Sequence, residues 1–65
     1  MYDVTSAKKM ENGVIVYYDS KETREYESFS YEELIDQKIN ALDMIQNPGM
    51  YSIDSGAHKL YMKDI

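Results

Sequence analysis

Residues 30–46 read Ser-Tyr-Glu-Glu-Leu-Ile-Asp-Gln-Lys-Ile-Asn-Ala-Leu-Asp-Met-Ile-Gln, and Asn47-Pro48-Gly49 follows. The stretch opens with a capping box. The Ser30 hydroxyl can accept from the Glu33 backbone N–H, and the Glu33 carboxylate can reach back to the Ser30 N–H. At about 100° per residue, Tyr31, Leu34, Ile35, Ile39, Ala41, Leu42 and Ile45 fall on one broad side. Glu32, Glu33, Asp36, Asn40 and Asp43 fall on the other. Two residues break the segregation: Lys38 sits inside the apolar stripe, and Met44 sits on the polar side. Proline and glycine just beyond the last periodic residue close the segment. The spacing predicts one helix from Tyr31 to about Gln46.

Upstream, Asn12-Gly13 carries the strongest local signal. A type I′ turn needs positive φ at both central positions, and Asn-Gly supplies them. Val4–Met10 before it and Val14–Tyr18 after it make a hairpin, the second strand β-branched and aromatic throughout. Ser6, Lys8 and Lys9 dilute the first strand, and lysine there suits a sheet edge. Thr23–Phe29 alternates as a third strand: Arg24, Tyr26 and Ser28 point one way, Thr23, Glu25, Glu27 and Phe29 the other. Downstream, Met50–Asp54 is a short extended piece or a loop, and His58–Ile65 alternates as a last strand. The expected fold is α+β, β-β-β-α-β: a small antiparallel sheet of three to four strands with one helix packed on one face. With 65 residues, the chain is one domain, 1–65.

The formal net charge is −5 and the sequence pI is about 4.6. Nucleic-acid binding needs a basic footprint to displace counterions, so direct DNA or RNA contact is disfavoured. The acidity serves either plain solubility or imitation of nucleic acid before a basic cleft. There is no cysteine, which fits a reducing compartment. Met1–Met10 has no apolar run of signal-peptide length and no segment reads as a membrane span, which predicts a soluble, cytoplasmic protein.

A catalytic role is not expected. His58 is the single histidine, read as an ordinary surface strand residue with no nucleophile beside it. A domain this small has little room for the pocket that would retune a carboxylate. No phosphate loop is present, the Asp54-Ser55-Gly56 turn lacks calcium-ligand spacing, and no metal or cofactor is predicted.

Partner binding is the remaining class. Glu25, Glu27, Glu32, Glu33 and Asp36 gather along the third strand and the helix start. Acids also favour a first helical turn simply through the macrodipole. The chain has seven tyrosines and no tryptophan, and tyrosine suits surfaces with one buried and one wet end. Tyr17 and Tyr18 are adjacent, so they face opposite sides of the sheet, and one of them lies away from the helix. Met44, alone on the polar side, reads as a contact outside the monomer core. The candidate partner-binding set is Glu25, Tyr26, Glu27, Tyr31, Glu32, Glu33, Asp36 and Met44. A bare second sheet face and marginal size predict a homodimer.

Short segments match a known family: Tyr2-Asp3-Val4-Thr5, Tyr26-Glu27, Ser30-Tyr31-Glu32-Glu33-Leu34, Lys59-Leu60 and Lys63-Asp64-Ile65. On these the chain resembles the small phage-encoded inhibitors of uracil-DNA glycosylase, in particular the short type that forms homodimers. Where that family places an aromatic directly before its helix glutamate, this chain has Glu32, with Tyr31 one residue earlier. Asp36 takes the place of a family tyrosine. The resemblance implies that two protomers form a groove for the apolar residue the glycosylase inserts into DNA, while carboxylates occupy its phosphate contacts. The implied setting is the cytoplasm of a host bacterial cell. The alternative is another small phage regulatory module, an anti-CRISPR or host-takeover protein that covers an apolar patch.

Overall fold

Three long strands begin the chain: β1 (Tyr2–Lys9), β2 (Gly13–Ser20) and β3 (Thr23–Ser30). They form an antiparallel meander in the computed structural model, which describes residues 1–63; Asp64 and Ile65, the end of the expected last strand, lie outside them. The alternation follows the pleat. Val14, Val16, Tyr18 and Phe29 are buried on the inner face. Ile15, Tyr17, Tyr26 and Ser28 take the outer one. Tyr17 and Tyr18 therefore part as expected.

The first turn departs from expectation. Neither Asn12 nor Gly13 has positive φ, so the connection is not type I′. The Met10 N–H instead bonds to the Gly13 carbonyl at 2.8 Å. Glycine is required at 13 for a different reason: a Cβ there would lie 1.9 Å from the Phe29 carbonyl oxygen on β3.

The expected single helix is two: α1 (Tyr31–Asp36) and α2 (Ala41–Gln46). The capping box forms, with Glu33 N–H to Ser30 Oγ at 3.1 Å and Ser30 N–H to Glu33 Oε1 at 2.9 Å. α1 then ends in a Schellman motif. The Ile39 N–H bonds to the Leu34 carbonyl at 2.8 Å and the Lys38 N–H to the Ile35 carbonyl at 3.0 Å. Lys38 adopts the left-handed conformation that this motif demands, with φ 60°. Leu34 and Ile39 both join the core, which supplies the motif's apolar contact. Asn40 caps α2 by accepting from the Asp43 N–H at 3.0 Å.

The left-handed residue resets the helical phase, so the continuous stripe is wrong beyond Lys38. Met44 is 0% exposed, which removes it from the partner-binding set. Leu42, at 65%, stands in solvent, and so does Ile35, at 72%, which lies within α1 ahead of the break.

After a 3-10 turn at Pro48–Met50 come β4 (Tyr51–Asp54) and β5 (Lys59–Met62). The uncertain Met50–Asp54 piece is thus largely a strand, and the sheet has five strands in the order β3-β2-β1-β4-β5, each neighbour antiparallel. β1 is central, not the edge its lysines suggested. Its ladder with β4 involves only Tyr2 and Asp3, so Lys8 and Lys9, paired with β2, lie beyond the portion paired with β4. A bulge between Val4 and Ser6 bends β1. The α+β class stands, with two short helices in place of one.

Candidate functional site

On α1 the phases sort themselves at about 100° per residue. Leu34 enters the core. Tyr31 and Ile35, one turn apart, lie to one side of it, and Glu32 and Asp36 face solvent. The Tyr31 hydroxyl donates to the Met10 carbonyl at 3.2 Å, which fixes its ring beside the first hairpin. Lys9, Tyr31, Ala41, Leu42 and Ile45 line a groove of about 220 Å³. Ile35 on α1 and Leu42 on α2 add exposed apolar side chains, and Glu32 and Asp36 stand exposed on α1 with no ion pair among the described residues.

Glu27 and Glu33 are brought together elsewhere, by His58. This residue precedes β5 in a left-handed conformation, φ 53°. Its ring stacks on Phe29 with centroids 4.0 Å apart. Nδ1 lies 2.6 Å from Glu27 Oε1, and Nε2 lies 3.2 Å from Glu33 Oε2. Such a ring donates to both carboxylates at once only as the imidazolium. The Tyr18 hydroxyl donates to Glu27 Oε2 at 3.0 Å. The Ser30 backbone N–H, more than His58, holds the Glu33 carboxyl below its ordinary range. Burial, reinforced by Glu27, pushes the Tyr18 phenol up. These two carboxylates are engaged in joining β3, α1 and the turn before β5.

The remaining expected residues separate. Glu25 is exposed on β3, opposite Tyr18 in the ladder. Tyr26 projects from the other face, its ring 6.1 Å from that of Tyr17. The Arg24 guanidinium lies 5.5 Å from the Tyr17 ring centroid, within cation–π range. The eight expected residues therefore fall on several surfaces: Tyr31, Glu32 and Asp36 on α1, Glu27 and Glu33 around His58, Glu25 and Tyr26 on opposite sides of β3, and Met44 in the core.

Ile35 and Leu42 were assigned to the core by the single-helix periodicity, and their surface role was missed. For Leu42 the signal was Lys38, whose misfit in the stripe marks the break; for Ile35, ahead of the break, periodicity gave none. Gln37 was also missed. Its carboxamide accepts from the Leu60 N–H at 2.8 Å and donates to the His58 carbonyl at 3.4 Å. Nothing in local sequence announces contacts between such distant positions. Comparison with protein-family models, curated proteins and solved structures finds no match for this chain.

Proposed function

We propose that the chain is a protein-binding inhibitor that occupies the basic, DNA-binding cleft of another protein, in the cytoplasm of a bacterial host. The observation carrying this reading is the surface of α1 and α2, which exposes Ile35 and Leu42, forms a groove lined by Tyr31, and carries the exposed carboxylates of Glu32 and Asp36 on the same helix as Tyr31. The groove takes an apolar side chain, and the carboxylates steer a basic partner and stand where phosphates would. Host uracil-DNA glycosylase is the target suggested by the sequence resemblance. Self-association belongs to the same reading: Ile15, Tyr17 and Tyr26 leave an apolar outer sheet face, and sedimentation at micromolar concentration should find a dimer.

A second reading, a module that covers an apolar patch without imitating DNA, is favoured by one fact. Glu27 and Glu33 are tied to His58, which leaves fewer free carboxylates for mimicry. Uracil excision from single-stranded DNA by bacterial glycosylases tests the first reading. Stoichiometric protein should abolish excision, and excess DNA added beforehand should delay the loss. If the folded protein leaves several bacterial glycosylases active, that target is wrong. Glu32→Lys should slow association and flatten its salt dependence on the mimic reading, and leave both unchanged on the second.

A further inference from the structure

The two edges of the sheet are treated differently. Along β5 the Gln37 carboxamide stands in for a neighbouring strand, pairing with the Leu60 N–H and the His58 carbonyl. β3 is the other outer strand, eight residues long, with β2 as its only strand neighbour among the described residues. Thr23, Arg24, Glu25, Tyr26 and Ser28 are all exposed. Among the described residues, the backbone hydrogen bonds of Thr23–Ser28 run to β2 alone. A long unpaired edge is a template for another strand unless it is blocked.

We infer that the β3 edge is a docking site for a β-strand of a partner protein, basic on one face and apolar on the other. Charge selects this occupant over a second copy. A two-fold pairing of β3 with itself must keep side chains on matching faces. The two longest such registers place Glu25 opposite Glu27, which is already engaged by His58, or Glu27 opposite its own copy, so neither sets a cation against the exposed Glu25. Like charges directly opposed across strands are destabilising. A foreign strand with lysine or arginine opposite Glu25 reverses that sign. On the other face Tyr26 is 67% exposed and continues onto Tyr17. An apolar residue opposite Tyr26 covers this ring and gains a cross-strand contact. Main-chain bonds supply affinity in such strand addition, and the alternating side chains supply selectivity. The site is independent of the groove on α1 and α2, and it shares Tyr17 and Tyr26 with the outer sheet face assigned above to self-association.

The test uses a synthetic peptide of about nine alternating lysines and valines, long enough to span β3. Binding is followed by amide hydrogen exchange. The β3 amides that point away from β2 should become protected, and methylating the peptide's ladder nitrogens should abolish that protection. A peptide with glutamate in place of lysine should bind more weakly, by about 1.4- to 5-fold for each cross-strand charge pair. Glu25→Lys, at an exposed position, should invert the preference between the two peptides. The inference is overturned if the lysine peptide gives no β3 protection at millimolar concentration. Protection elsewhere, or equal binding of the glutamate peptide, also overturns it.

Discussion

Lys38→Gly should stabilise the protein, and the sign of the effect distinguishes the broken helix from a continuous one. Lys38 is exposed, with φ 60° at the position just past the end of α1. A residue with a Cβ gives up about 1–2 kcal/mol in the left-handed region. Glycine removes that strain but makes the unfolded chain more flexible, which returns about 0.4–1 kcal/mol. The net expectation is a gain of about 0.5–1 kcal/mol, or about 2–8 °C in Tm for a chain this short. In a continuous helix over 31–46, the same change would cost about 1 kcal/mol. Urea unfolding with an unchanged m-value, together with thermal unfolding, reads the difference. Lys38→Ala keeps the Cβ and should be close to neutral. A glycine variant destabilised by about 1 kcal/mol would refute the break and return Met44 to the surface.

Three further outcomes follow from named contacts. Ser30→Ala removes the acceptor for the Glu33 N–H and should cost about 1 kcal/mol in urea unfolding. Gln37→Ala strips the partner from the Leu60 N–H, and Leu60 is 4% exposed. A loss of about 1–3 kcal/mol is expected, with faster exchange at the Leu60 amide. Burial, reinforced by the Asp43 carboxylate, pushes the Tyr51 phenol up from 10.0 to about 12. Because the folded value is the higher, this stabilisation is whole below pH 10 and is lost as pH rises through about 12. Urea midpoints measured up the alkaline range should fall, and Tyr51→Phe should flatten that decline.

The strands were legible because their alternation is local. Val14, Val16 and Tyr18 against Ile15 and Tyr17 is a period-two pattern, and the ladder realises it directly. The cap at Ser30 was legible for the same reason, since every atom it needs lies within one turn. The helix break was only half visible. A Schellman ending is usually announced by glycine, and here lysine takes that place, so periodicity across Lys38 outweighed the one misfit. Gly13 was identified as a turn residue, yet its demand comes from Phe29 on another strand, which no dipeptide rule contains. The acid cluster was found as a run in sequence. Its division into free and His58-bound carboxylates depends on where the segment after β4 returns, and that is set by tertiary packing alone.

The narrow junction between β1 and β4 bears on how the molecule opens. The meander of β1, β2 and β3 is stitched by long local ladders. The hairpin of β4 and β5 joins it through the Tyr2 and Asp3 positions, the Lys63–Asp3 ion pair, the His58 side chain and a shared core, and Gln37 ties it to α1. Few backbone bonds tie such a hairpin to the meander, so native-state hydrogen exchange should find its amides opening at lower free energy than those of β2. Its excursions would uncover Tyr51, Ile53 and Leu60 together, while the meander and its β3 edge stayed in register.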